Sequence, residues 1–397
     1  MIDVRASENC TVETVWGEEV ASILSKPGDS YDPDYRIPLH QRPAWLMYQN
    51  GEDLQRLGTI VLRRAGTAKG YAPFLVRRRN LKSFVGEVKV FSFPLRCVQF
   101  VGTPFFPSDS SAWDGLFARV NEIPNVEGIF FEGLPCNSFL WNYIHQSATT
   151  RNMVRYVSNP PTEHFVISMP ESFNAYMGKF SSQTRRKLRR VIITLEELLP
   201  GKLRLDKMTE ETEVDSFVEN AVRVSKTTYQ WHLLGMGLRD ASAVKAELRF
   251  LARQGWARCY LLWCDQTPVA FMLCQQDEST CYQMDVGFDP EWSQYSVGTV
   301  LQLLVLQDLF AFKQPQVFDF GRGAGEHKRF FGNTCYLDAD LYLLRRRLYP
   351  LLACGVNAAV AGASSAADGV LKRMGLKRGM KKLIRRSSIA FGRRISE

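Results

Sequence analysis

The sequence predicts a mixed α/β chain with more than one hydrophobic core. Three observations carry that expectation. Short strand-like runs alternate with turns through the first third, three further runs form a meander over 256–288, and an apolar helix-length run at 299–312 leads straight into another strand at 316–320. The chain has 397 residues, 45% hydrophobic and 23% charged, which is enough for two or three cores.

The elements follow in order. GTIVLRRAG (58–66), YAPFLVRRR (71–79), VKVFSF (88–93) and CVQFVGTPFF (97–106) read as strands. The turn at Ser108-Asp109-Ser110-Ser111 precedes a helix over Ala112–Ile123, and GIFFE (128–132) is a buried strand. VSNPP (157–161) breaks the chain, because consecutive prolines exclude helix. In FSSQTRRKLRRVIITLEELLPG (180–201), Leu188, Val191, Ile192, Leu195, Leu198 and Leu199 form one helical stripe. Ser181 or Ser182 is its N-cap and Pro200-Gly201 its stop. WARCYLLWC, VAFMLCQQ and CYQMDVGF (256–264, 269–276, 281–288) are the meander, and YLDADLYLL (336–344) is the last strand.

Composition narrows the function. The net charge of +9 is concentrated at one end, where thirteen Lys/Arg and two Asp/Glu from Leu341 onward leave the remainder at 9 − 11 = −2. A nearly neutral body argues against a nucleic-acid-binding domain. Nine cysteines make no C-x-x-C pair, and Cys259, Cys264, Cys274 and Cys281 lie in strand-like runs as reduced, buried thiols. Five histidines without ligand spacing give no metal site. MIDVRASENC has no apolar core, so no secretory signal is expected, and the expected location is cytoplasmic.

Three stretches could carry chemistry. QYSVGT (294–299) joins a strand to a buried helix, and the free N–H groups of such a helix start attract phosphate, although an ordinary turn has the same pattern. RRKLRR (185–190) puts cations at a helix start, where the macrodipole disfavours them; an anion nearby or a solvated basic face accounts for it. FDFGRGAGEHKRFFGN (318–333) places Gly321, Gly323 and Gly325 after a strand, then Glu326-His327-Lys328 at a short helix stopped by Gly332-Asn333. Asp319, inside an apolar strand, needs a partner or a function, and a salt bridge to Lys328 would satisfy it.

This order of parts resembles a GNAT-type acyltransferase. It is similar, more narrowly, to the CelD-like acetyltransferases of bacterial polysaccharide biosynthesis, relatives of the FemA/FemB/FemX transferases. The resemblance spans 165–345, with Asp319–Gly332 matching the family's DFG-x-G, Lys and aromatic-Gly signature; the family often has Tyr where this chain has His327. It implies tandem GNAT-like domains, each a mixed, mostly antiparallel sheet flanked by helices: a degenerate half at 1–165, an acyltransferase domain at 166–345 and a basic tail at 346–397. It further implies acetyl-CoA or another acyl-CoA as co-substrate, held by Tyr295, Ser296, Val297, Gly298, Thr299, Asp285 and Val286. Asp319 and Glu326 are the implied base or orienter and Lys328 a charge-bearing group. Arg185, Arg186, Tyr229, Gln230 and His327 are the implied acceptor side. The acceptor is an amine on a sugar or envelope precursor, with no metal and no specific nucleic acid. An aminoacyl-tRNA-dependent transferase and an inactive scaffold are the competing readings. The basic tail, with Leu376, Met380, Leu383 and Ile384 at helical spacing, either lies on an anionic membrane surface at the inner face or is solvated.

Overall fold

The computed structural model describes residues 10–25, 37–51, 53–85, 88–228, 231, 237–312 and 315–373. It divides into two compact units, Met1–Thr162 with Tyr336–Glu397, and Glu163–Cys335.

The first unit contains β1 (Cys10–Trp16), α1 (Glu18–Ser25), α2 (Pro43–Gln49), β2 (Leu57–Arg64), β3 (Thr67–Val85) and β4 (Val88–Val101). These are followed by α3 (Ser110–Glu122), β5 (Gly128–Pro135), α4 (Phe139–Gln146) and β6 (Met153–Val157). The strand order is β1-β2-β3-β4-β5, and the β4/β5 pair is parallel. The α3 crossover makes that pairing possible, starting at Asp109, whose side chain accepts from the Ala112 amide. Trp113, Leu116 and Phe117 of α3 pack with Leu140 and Ile144 of α4 on Phe74, Phe100 and Phe131 of the sheet.

The second unit contains β7 (Thr162–Ser168), α5 (Phe173–Met177), α6 (Ser182–Leu198), β8 (Leu203–Met208), α7 (Val214–Thr227), α8 (Ala241–Arg253), β9 (Cys259–Cys264) and β10 (Thr267–Gln276). It continues through β11 (Thr280–Phe288), a 3-10 turn (Pro290–Tyr295), α9 (Val297–Ala311), β12 (Val317–Arg322) and α10 (Glu326–Phe331). Its strand order is β7-β12-β11-β10-β9-β8, and β11/β12 is the parallel pair, with α9 as the crossover. α5, α6 and α9 share one core with the sheet, while α7 packs on β10 and β11. α9 is apolar on nearly every side because it is enclosed: Val297, Val300, Leu301, Val305, Leu306 and Leu309 are all fully buried. Both units thus follow one plan, antiparallel strands leading to a βαβ crossover, which is the tandem mixed-sheet fold class expected.

A polar tie fixes α9. Asp308, in its last turn, accepts from Arg258 (2.6 Å), the Tyr260 hydroxyl (2.8 Å) and Lys207 (3.3 Å). Burial works against the Asp308 carboxylate, but Arg258 and Tyr260 outweigh it and the pKa falls below the usual value. Cys259, Cys264, Cys274 and Cys281 are buried thiols, and burial pushes Cys259 up to about 12, which leaves it unreactive.

The chain's end differs from the division expected at 345/346. β13 (Thr334–Arg345) pairs with β5 and β6, and α11 (Leu348–Arg373) lies on β3 and β4, so both belong to the first unit. Asn357 secures α11 by donating to the Lys82 carbonyl (2.9 Å) and to Ser83 Oγ (2.8 Å). Local pattern showed a strand and an uncharged run at the right places but held no information on the distant strands they join. Among the described residues no helix is long and apolar enough to cross a membrane. The basic segment 374–397 lies outside the described residues. The α6 stripe holds from Leu188 through Val191, Ile192 and Leu195 to Leu199, whereas Leu198 is 47% exposed.

Candidate active site

The two parallel pairs differ at their ends. In the first unit β4 and β5 stay in register from Cys97↔Gly128 to Val101↔Glu132, and the Gly102 amide extends the ladder to the Glu132 carbonyl (2.7 Å). In the second unit β11 and β12 pair only at Thr280↔Val317, Cys281↔Phe318 and Tyr282↔Asp319, although β11 continues to Phe288. A bulge at Met284 re-aims β11 there: Leu273 of β10 faces Asp285, while the next residue, Cys274, faces Gln283. Beyond Tyr282 the β11 edge therefore has no ladder partner in β12.

The start of α9 stands at the end of β11. Ser296 is its N-cap, in the left-handed region at φ 56°, held by its amide on the Ser293 carbonyl. That conformation costs a non-glycine residue about 1 kcal/mol and redirects the chain into the helix. Thr299 and Val300 donate back to the Ser296 carbonyl; among the described residues the Val297 and Gly298 amides have no partner. Gly298 lets the helix approach β11, because a Cβ there would sit 3.1 Å from the Phe288 ring. Trp292 and Tyr295 anchor the preceding turn against the core shared with Val191 and Ile192 of α6.

The glycine-rich turn after β12 is tightly fastened. Asp319 Oδ1 accepts from the Gly321 amide (2.6 Å) and lies 2.7 Å from His164 Nε2 of β7. Lys328 Nζ donates to the carbonyls of Gly321 (3.1 Å) and Arg322 (2.8 Å), so it closes the turn rather than pairing directly with Asp319. Burial lowers the Lys328 pKa, while Asp319 raises it. Burial and the Lys328 charge lower that of His327, whose ring meets Phe320 edge-on at 6.3 Å. Gly321, at φ 70°, brings the turn back towards Gln283 of β11. Glu326 opens α10 and is exposed. His164 was not expected; it stands directly before the apolar run Phe165-Val166-Ile167, in a polar stretch that carries no signal comparable to Asp319 in its own strand.

α10 is held from behind by Lys179, which donates to the carbonyls of Phe330 (2.9 Å) and Phe331 (2.8 Å), while the Tyr176 hydroxyl also reaches Phe331 (2.8 Å). These bonds satisfy the helix's last carbonyls. Lys179→Met is expected to keep the stem's packing yet fray α10. Faster amide exchange at 329–332, with α9 unaffected, is the result that checks it.

Asp285 lies on the unpaired length of β11. Burial raises its pKa, opposed by one hydrogen bond from the Val286 amide (2.8 Å). By strand register Asp285 and Asp319 lie on the sheet face that α7 covers, since their neighbours Gly287 and Phe271 contact Thr228 or each other there, whereas Val286, Phe318 and Phe320 belong to the opposite core. Arg185, in the second turn of α6, donates to the Phe180 carbonyl (2.6 Å), and Arg186 is exposed. Tyr229 and Gln230 lie outside the described residues. The structure thus sets Asp285 and Asp319 on one face of adjacent strands, with Gly298 beside Phe288 at the end of β11 and Lys328 on the turn after β12, while Val286 faces the opposite core; Arg185 and Arg186 are tied to it through the packing of α6 on α9.

Residues 182–329 match the family model described as an acetyltransferase (GNAT) domain. The second unit is therefore a GNAT-type domain, and the protein is an acyltransferase. By fold the chain is similar to FemX, with a TM-score of 0.57 at 12% identity over 86% of this chain and 100% of that one. A tandem GNAT protein from the clavulanic acid biosynthesis pathway matches at a TM-score of 0.40 and 12% identity, covering 84% and 97%. L-PGS from Bacillus licheniformis matches at 0.41 and 12%, covering 71% and 89%. No curated protein matches by sequence.

Proposed function

We propose that the second unit transfers an acyl group from acyl-CoA to an amine of a sugar or cell-envelope precursor by direct attack. The observation that supports this most is the parting of β11 and β12 beside two unpartnered amides at the start of α9. The pantetheine arm lies against the open β11 edge, and the donor's pyrophosphate rests on the Val297 and Gly298 N–H groups. The acceptor nitrogen gives its proton to Asp285 and attacks the thioester carbonyl. Backbone N–H groups at the Met284 bulge hold the oxyanion. The C–N bond forms, the C–S bond breaks, and the thiolate leaves to be protonated as free CoA. Asp319, His164 and Lys328 hold the turn that borders the thioester, so they are positioning residues. Glu326, His327, Arg185 and Arg186 face or approach the acceptor. An envelope precursor sets the reaction in the cytoplasm, at the inner face of the membrane.

A second reading takes aminoacyl-tRNA as donor. The fold likeness over the whole of FemX favours it, as do the exposed Arg186, Lys187 and Arg189 of α6, which form no ion pair among the described residues. A thermal-shift series decides between the two. Acetyl-CoA, longer acyl-CoAs and free CoA at a hundredfold excess over Kd are expected to stabilise the protein by about 2.7 kcal/mol. Gly298→Val, which covers the free amides, is expected to lose most of that shift. No shift with any CoA, together with tRNA binding, selects the second reading.

A further inference from the structure

The first unit carries an exposed basic and apolar surface of its own. β3 and β4 form a long hairpin in the first unit, and α11 covers one of its faces through Ala353 and Cys354 on Leu81, Leu95 and Cys97. The other face is open. The register sets Arg78 opposite Arg96, Lys82 opposite Ser92, and Phe84 opposite Lys89, and all of these are exposed. Among the described residues none of Arg78, Lys82, Lys89 and Arg96 forms an ion pair. Like charges directly opposite on a ladder are unfavourable unless an anion meets them. At the hairpin's end Phe84, Val90 and Phe91 are 45%, 42% and 50% exposed.

α11 leads to the same end. Tyr349 bonds the Pro94 carbonyl (3.1 Å), and eight residues later Asn357 bonds Ser83, so the helix runs along the hairpin towards its turn. It continues sixteen residues beyond Asn357, about 24 Å of rise, whereas β3 ends two residues beyond Ser83. As far as Ser364, its exposed positions Ala358, Ala359, Ala361 and Ala363 carry no charge. The sequence that follows, 374–397, holds eight Lys/Arg and one acid.

We propose that this end of the first unit docks on an anionic lipid bilayer. Phe84, Val90 and Phe91 enter the headgroup boundary, Lys89 beside Phe84 reaches up its own stem to the lipid phosphates, Lys82 meets them one pair behind Phe91, and Arg78 and Arg96 lie farther back. Apolar side chains at the end of the hairpin, flanked and backed by cations, suit an anionic bilayer surface. A nucleic acid would meet the cations along the ladder and leave the tip's apolar groups without a partner. The hairpin is a contact of its own, whatever the basic sequence 374–397 adds.

Sedimentation of the full chain with vesicles tests this, using phosphatidylcholine with or without phosphatidylglycerol. The protein is expected to bind the anionic vesicles. Lys82→Gln with Lys89→Gln should weaken binding about thirtyfold, two basic contacts having been removed. Phe84→Ser with Phe91→Ser should weaken it about tenfold or more, with circular dichroism as wild type. Neutralising Lys381, Lys382, Arg385 and Arg386 to Gln should leave a residual affinity that the hairpin variants abolish. Unchanged binding by both hairpin variants overturns the proposal, as does equal binding to neutral vesicles. Binding of tRNA instead of vesicles, lost with the same lysines, also overturns it. No acyl donor enters this measurement, so its failure leaves the acyl-transfer reading intact.

Discussion

Asp285→Asn should lower kcat/KM by about 100- to 10,000-fold, the range a positioned general base contributes. The same change should raise stability near neutral pH. Burial holds the Asp285 pKa above the ordinary carboxylate value, so the unfolded chain binds fewer protons than the folded one in that window. Its contribution to stability is complete below the ordinary Asp pKa and is lost as pH rises through the raised one. At neutral pH the ionised carboxylate opposes folding, and an amide of the same shape removes that opposition. The wild-type pH profile of kcat/KM should show an acidic limb displaced upward from the usual carboxylate range, and the variant's profile should be flat there. A variant with near-normal turnover and an unchanged acidic limb removes Asp285 from the chemistry. A loss of activity combined with higher thermal stability is hard to obtain from simple structural damage, so the pair of readouts isolates a functional role.

Asp308→Ala should have the largest effect on stability. It leaves Arg258, whose side chain is 12% exposed, without its carboxylate, and removes the acceptor of the Tyr260 hydroxyl. Breaking a buried pair in this way costs about 3–5 kcal/mol. For a unit of this size that is roughly 10 °C in Tm. The pH dependence has the opposite sign to that of Asp285. The Asp308 pKa is depressed, so its contribution is present above the ordinary Asp value and disappears as pH falls through the lower one. Wild-type protein should therefore lose stability on acidification in a range where Asp308→Ala no longer changes. Equal melting temperatures for the two at neutral pH would show that the tie carries little. Because α9 begins at the unpartnered amides and ends at this tie, the change should also weaken donor binding without altering the pH profile of turnover.

The sequence made the second unit's chemistry-bearing segments readable for physical reasons. The 299–312 run is uncharged except for Asp308, and only an enclosed helix of that length is tolerated there. The glycines at 321, 323 and 325 announced a turn, and two of them adopt positive φ, at 70° and 103°. Other features had no local signature. The Met284 bulge is a fault in cross-strand register, and register depends on β10, which the β11 sequence does not contain. That is why Asp285 was assigned to donor contacts, with no sign of its buried, proton-binding character. Likewise, Lys328 was read as paired with Asp319 or acting on substrate, and its place on two carbonyls follows from how the turn closes. For the stretch from 203 to 253 no helix or strand was expected, although Val214, Phe217, Val218, Ala221 and Val224 form a helical stripe in α7. Finally, β13 pairs with strands some two hundred residues earlier, and α11 bonds to β3 and β4 at separations of 255 to 275 residues, partnerships set by whole-sheet packing.

The ladder that keeps β4 and β5 joined to Val101 and Glu132 has a consequence for the economy of the whole chain. Closed by main-chain hydrogen bonds, that pair presents no parted strand edge of the kind β11 presents, so one donor bound per polypeptide is the expected stoichiometry, which titration with acyl-CoA checks.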